Sequence, residues 1–210
     1  VKIDTYLERG PEAVRTIENI SEIKFVLAGA PDYHSSREGG VDKGRALSPV
    51  PYDGRKLGKD FDLIGDPIRV VLGGMMITSS EIKHFLNPFK STTALSHVLR
   101  RVGRFAKDRL KYSRGTEFSG GNALLAAALN SLRKSGVDLR NNSPMKGLIV
   151  ENGRTIGATV ATGGAEMRVL ATGGVILATG GFAANEDLRA DIGAKHRHDV
   201  TLCAPEVQGD

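Results

Sequence analysis

Residues 173–189 read GGVILATGGFAANEDLR, and the fold turns on how that stretch is read. Val175, Ile176 and Leu177 are apolar at consecutive positions, the pattern of a strand buried on both faces. They lead into four small residues, Ala178, Thr179, Gly180 and Gly181, and then to Asn185, where a helix is expected to start. Such strands belong to sheets covered by helices on both sides, and ligands in those sheets lie at the carboxyl ends of the strands. Small residues there let backbone N–H groups approach a ligand, and adjacent glycines reach backbone angles that other residues do not. A tight strand-to-helix turn would use the same residues. From this stretch alone, a bare turn and a cofactor cradle both stay open.

The sequence upstream gives the stretch its context. GGNALLAAALNSLRKSG, residues 120–136, has the composition of a strong helix closed by Gly136. The period then changes from helical to alternating. VDLR, SPMKGLIVENG, RTIGATVATGG and AEMRVLATGG read as short strands. Asn152-Gly153 and Gly163-Gly164 are expected to be two-residue hairpin turns, because both positions of such turns favour positive φ. The result is an antiparallel meander that returns through Gly173-Gly174 to the VILATGG strand.

Further upstream, IDTYLERG and GPEAVRTIENI read as two helices, with Pro11 in a first-turn position where its missing N–H costs nothing. IKFVLAG is a strand. Residues 31–67 are irregular and rich in Gly, Pro, Asp and charge, and so long an irregular stretch is usually functional or mobile. A long basic helix follows. Leu95, Val98, Leu99, Val102, Phe105 and Ala106 recur at helical spacing and are expected to face inward, with Arg100, Arg101, Arg104, Lys107, Asp108 and Lys111 on a solvated face. A phosphate-binding stripe from Arg100 to Arg114 is the competing reading, but no aromatic interleaving or known module accompanies it.

Composition bounds the rest. With 210 residues, 40% hydrophobic and 25% charged, the chain can bury an ordinary core as one large or two small domains. Its single cysteine, Cys203, makes neither an internal disulfide nor a zinc site. His196 and His198 flank Arg197 in a basic loop, which reads as solvated rather than as a metal site. No apolar run reaches the ~18 residues of a membrane span, and the N-terminus has no signal-peptide core. A cytoplasmic protein is the expectation. The chain opens without Met, directly in a helical pattern, so a piece of something longer is expected too.

The order of these segments carries a resemblance. GGNALLAAALNSLRKSGVDLR, SPMKGLIVENGRTIGATVATGG and GGVILATGGFAANEDLR, with TYLERGPEAV, IKFVLAGAPDYH and GRALSP before them, resemble the fumarate reductase/3-ketosteroid dehydrogenase superfamily of FAD-dependent oxidoreductases. The match is specific from about Gly120 to Arg189. The resemblance implies an α/β fold, α+β by content: a partial FAD-binding, Rossmann-like domain with an antiparallel meander and a mainly helical insertion. Residues 1–115 would be the helical and irregular part with the insertion, and 116–210 the core segment of the FAD-binding domain.

It also implies site residues. Pro144 and Met145 would pass the adenine end of FAD, with a backbone contact at Met145. Ala178, Thr179, Gly180 and Gly181 would line the dinucleotide, with Asn185 close by. Gly209 and Asp210 match the middle of a Thr-Gly-Asp-Gly motif, where Gln208 departs from the usual Thr. Tyr33, after Pro31 and Asp32, stands where such dehydrogenases keep a tyrosine that supports proton removal from the steroid. A phenol can donate or accept a proton, yet a loop tyrosine packed on a neighbour would look the same in sequence. His34 stands where relatives often have a second tyrosine.

The implied function is dehydrogenation of a ketosteroid-like substrate. Alternatives are fumarate-reductase-like reduction of an activated alkene, or a non-catalytic basic module that binds nucleic acid. The implied partners are a small apolar ketone or alkene and the remainder of the same polypeptide. The family's G-x-G-x-x-G fingerprint would lie ahead of Val1, so this chain by itself is expected to bind FAD weakly or not at all.

Overall fold

The structure, a computed structural model, describes residues 2–29, 31–67 and 73–191. The chain divides into two compact units, one up to Leu139 and one from Arg140.

The first unit opens with helix α1, Lys2–Ile20, which has Pro11 inside it. The sequence predicts two helices here and the structure has one. Pro11 removes one N–H, but the residue before it is Gly10, which has no Cβ to clash with the proline ring in helical geometry. Strand β1, Phe25–Leu27, pairs antiparallel with β2, Leu47–Pro49, and β3, Tyr52–Asp53, pairs antiparallel with β4, Glu117–Phe118. Between β3 and β4 come 3₁₀ turns at Gly54–Leu63, the short helix α2, Ile82–Leu86, and the long helix α3, Thr92–Asp108.

Helix α4, Gly120–Lys134, covers this layer. Its small face, Ala123, Ala126 and Ala127, is buried and allows close approach to Tyr52, Leu57, Phe61 and Phe118. Phe118 is fully buried and lies 5.3 Å from the Phe61 ring. Gly136 ends the helix as expected: its φ is +74°, and the N–H groups of Gly136 and Val137 donate to Arg133 and Leu132 carbonyls.

Helix α3 corrects the expected orientation. Its buried residues are Ala94, Arg101 and Asp108, while Leu99 and Val102 are exposed. The reason is electrostatic. Arg101 lies 3.0 Å from Glu81 and 2.6 Å from Glu117, and also donates to the Met76 carbonyl at 2.7 Å. Asp108 accepts from the Thr116 N–H at 3.0 Å and its hydroxyl at 2.7 Å. Charged groups that are ion-paired like Arg101 or hydrogen-bonded like Asp108 can be buried, which is consistent with this rotation of the helix.

The second unit is the predicted meander: β5, Met145–Glu151, β6, Arg154–Thr162, and β7, Ala165–Leu170, in that order and antiparallel. Both hairpins turn as expected, with φ of +49° and +74° at Asn152-Gly153 and +58° and +82° at Gly163-Gly164. Residues 137–140, expected as a strand, are irregular. A short helix, α5, Glu186–Asp191, closes the described chain.

Candidate functional site

Two segments of the second unit carry the expected cofactor residues. The first is the start of β5, the edge strand of the meander. The Ala161 N–H donates to the Pro144 carbonyl at 3.0 Å, one position before the Met145–Val160 pair. That makes the pair a non-hydrogen-bonded one, so the N–H and C=O of Met145 point away from β6, toward the edge of the sheet. A main-chain donor and acceptor side by side at an edge is the arrangement that can read an adenine rim, whatever the side chain.

The second is residues 173–185. Here the structure overturns an expectation. Val175, Ile176 and Leu177 form no strand, and Ile176 is 92% exposed. A strand buried on both faces needs a neighbour on each side, and among the described residues no strand pairs with this one. The small residues behave differently. Ala178, Thr179, Gly180 and Gly181 are all exposed, and Gly180 has φ of +81°, where a side chain would be strained. Backbone N–H groups from Gly173 to Gly181 find no backbone acceptor among the described residues. Asn185 acts locally instead: its side-chain oxygen accepts from the Leu188 N–H at 3.0 Å, capping α5. Gly209 and Asp210 lie outside the described residues, as do Cys203, His196 and His198.

Tyr33 belongs to the first unit. Its side chain is fully exposed on a loop between β1 and β2. The loop is closed at its base: the Asp32 N–H donates to the Val41 carbonyl at 3.0 Å, and the Val41 N–H donates back to Asp32 Oδ2 at 3.2 Å. Arg45 adds an ion pair to Asp32 at 3.0 Å and donates to the Gly39 carbonyl. In the sequence Arg45 stands out only within the segment GRALSP that shares in the family resemblance. Pairing across an intervening loop leaves no periodic signal in a single sequence. A recess lined by Pro31, Tyr33, His34, Arg37, Arg45 and Ala46 opens beside the tyrosine.

The structure divides the basic stripe: Arg100, Lys107, Arg109 and Lys111 are exposed, while three other arginines turn to the protein. Arg101 and Arg114 are buried. Arg114 pairs with Asp66 at 3.0 Å and packs over Phe61 and Phe118, and Arg104 pairs with Glu117 at 2.6 Å. These cations are committed to the protein. Among the described residues no cluster of His, Cys, Asp and Glu could hold a metal, and no helix is long and apolar enough to cross a membrane.

With this geometry established, comparison with known proteins decides the family. The family model described as FAD binding domain matches residues 2–210. This chain belongs to that FAD-binding family. A 3-oxosteroid 1-dehydrogenase of Mycolicibacterium smegmatis is 35% identical over 195 residues, covering 90% of this chain and 34% of the relative. A 4-oxocyclohex-2-ene-1-carboxylate 5-dehydrogenase of Sinomonas cyclohexanicum is 32% identical over 188 residues, covering 88% of this chain and 32% of the relative. The crystal structure of a 3-ketosteroid delta1-dehydrogenase from Sterolibacterium denitrificans, in complex with 1,4-androstadiene-3,17-dione, superimposes with a TM-score of 0.75 at 28% identity. It covers 89% of this chain and 35% of that one. The chain therefore spans about a third of the length of these relatives. The expected fold class holds for this member of the FAD-binding family.

The residues present fit the dinucleotide. An edge-facing main-chain donor and acceptor at Met145, and exposed backbone at Ala178–Gly181 with only the alanine methyl and the threonine hydroxyethyl as side chains, leave backbone groups open to a ligand.

Proposed function

We propose that this chain is a segment of an FAD-dependent dehydrogenase that introduces a C=C bond beside a ring ketone, with a ketosteroid-like substrate. Family membership across residues 2–210 carries the reading. Two relatives that differ in substrate size support it, since each is named as a dehydrogenase of a cyclic ketone. Ala178 to Gly181, the main chain at Pro144 and Met145, and the turn at Asn185 would hold the cofactor, with Gly209 and Asp210 completing that set. Residues 116–210 would form the core of the cofactor domain, and 1–115 its helical and irregular part. The remainder of the same polypeptide would supply the other walls. A reducing, cytoplasmic setting suits the single cysteine.

The chemistry divides into a proton and a hydride. A carbonyl acidifies the C–H on the carbon next to it, so a base can take that proton while the electron pair moves into the new double bond. Bound FAD would accept the hydride from the adjoining carbon. Tyr33 would stand at the proton: its phenol oxygen would take it as the hydroxyl proton passes on to solvent. The Asp32 carboxylate next to the tyrosine in sequence has its charge answered by Arg45.

The test is anaerobic mixing of the full-length protein with a 3-ketosteroid while the flavin absorbance is followed. Bleaching at a rate that Tyr33→Phe cuts by about 10²–10⁴ is expected. If cyclic ketones leave the flavin oxidised while fumarate reoxidises the chemically reduced protein, the dehydrogenase reading gives way to alkene reduction.

A further inference from the structure

We propose that Arg45 is the positioning residue for Tyr33. The inference rests on the reading of Tyr33 given above, and it concerns how one exposed side chain on a loop can be held accurately enough for proton transfer. A tyrosine whose ring touches little of the protein cannot be fixed by packing, so its backbone must be fixed instead. Residues 32–41 show how.

The loop is pinned at both ends of its base by the Asp32–Val41 exchange, N–H to carbonyl at 3.0 Å and N–H to carboxylate at 3.2 Å. Inside it, the Arg37 N–H donates to the His34 carbonyl at 3.0 Å and the Gly40 N–H to the Arg37 carbonyl at 2.8 Å. The chain then folds back so closely at Gly40 that a Cβ there would meet the His34 and Ser35 carbonyl oxygens at 2.6 Å. Only glycine permits that approach.

Arg45 ties the two sides together. One Nη lies 3.0 Å from Asp32 Oδ2, beside Tyr33, and the other donates to the Gly39 carbonyl on the far side of the loop. The guanidinium suits this double contact, because its donors form a rigid, planar fork that loses little freedom in holding both. Asp32 is thereby doubly engaged, by the Val41 N–H and by Arg45, and the residue that follows it is Tyr33.

The pair is partly exposed, with side-chain exposures of 58% for Arg45 and 26% for Asp32. Pairs in such positions add little to global stability. The clamp should therefore govern the loop and not the fold, which separates a positioning role from a structural one.

Two measurements test this. In the 210-residue chain, Arg45→Ala should raise hydrogen exchange at the Asp32 and Val41 amides by about tenfold or more, with the β5–β7 amides and the thermal midpoint unchanged. In the full-length protein the same change should lower kcat by about 10–10²-fold with KM for the ketone and the flavin content held. Arg45→Lys should recover part of both losses. Unchanged exchange overturns the clamp, and faster exchange with full kcat overturns its role in catalysis. Tyr33→Phe separates this from the reading beneath it. Full activity in Tyr33→Phe overturns the assignment of the tyrosine itself, and with it this inference. A slow Tyr33→Phe beside a fully active Arg45→Ala overturns the Arg45 proposal alone.

Discussion

The Tyr52 hydroxyl donates to the carboxylate of Glu22, joining β3 to the turn that follows α1. Asn130 on α4 donates to the same carboxylate at 3.0 Å and to the phenol oxygen at 2.8 Å, and Lys134 pairs with the other carboxylate oxygen. One anion thus ties three elements of the first unit. The Lys134 and Tyr52 hydrogen bonds hold Glu22 down at about 2. Burial, and then the bond to Glu22, push the Tyr52 phenol well above its ordinary value.

The depressed acid fixes the sign of a pH effect. Glu22 contributes stability that is full above its unfolded value of 4.5 and fades as pH falls toward about 2. Glu22→Gln should therefore lower the urea midpoint at pH 7, and its gap from the parent should close between those two values. A gap that stays constant down to pH 2 would show that the network does not work through the charge. Tyr52→Phe removes two bonds of the set, the one to Glu22 and the one from Asn130, and should cost about 1–3 kcal/mol at neutral pH.

Asp108 and Thr116 make a sharper case, because both are buried. Asp108→Ala leaves the Thr116 N–H and hydroxyl without their acceptor. We expect a loss of about 2–5 kcal/mol by denaturant titration. Thr116→Val keeps the volume and removes one donor, so it should cost less than Asp108→Ala. The reverse order would mean that the carboxylate is not what the threonine needs.

How far the sequence could be read differs from element to element. The hairpins were legible because Asn152-Gly153 and Gly163-Gly164 are local signals that a turn type demands, and Gly136 marked the end of α4 for the same reason. Helix α3 was legible as a helix but not in its rotation. Leu99 and Val102 argued for one inward face, yet Glu81 and Glu117, distant in sequence, draw Arg101 inside instead. The apolar run at Val175–Leu177 read as a strand buried on both faces, yet Ile176 is exposed and no described strand pairs with it, because a run of residues does not name the neighbours it needs. Of the candidate site, the small residues at 178–181 stood out as a local pattern, while Tyr33 came only from the family resemblance. The bracing by Arg45 was not visible, because a side chain meeting a carbonyl six residues away follows no period.

Gly157 sits mid-strand in β6, where a Cβ would lie 2.2 Å from the Val169 carbonyl oxygen of β7. That oxygen belongs to backbone, so the strands must part for any larger residue to fit. Gly157→Ala should destabilise the second unit by about 3 kcal/mol. Circular dichroism should show loss of strand signal at a lower temperature while the helical signal, which comes mainly from the first unit, melts as before. A single unchanged transition would mean that β6 and β7 do not approach this closely.

The cofactor reading makes its own demand on backbone rather than side chains, and that can be tested by pairing two substitutions. Gly180 holds φ of +81° in the exposed stretch after the meander. A β-branched residue there costs about 1–3 kcal/mol in local strain, and because nothing packs over the stretch among the described residues, the chain can relax by changing path instead of unfolding. Gly180→Val should then leave the meander intact and displace the N–H groups proposed to face FAD. Met145 is the opposite case. Its side chain is partly exposed, while its N–H and C=O point to the sheet edge, so Met145→Leu should change nothing that the cofactor touches. In the full-length protein, the flavin-to-protein absorbance ratio should fall several-fold for Gly180→Val and hold for Met145→Leu. Equal flavin content in both would take the cofactor away from residues 178–181, and loss in Met145→Leu alone would mean that the side chain, not the main chain, makes the contact.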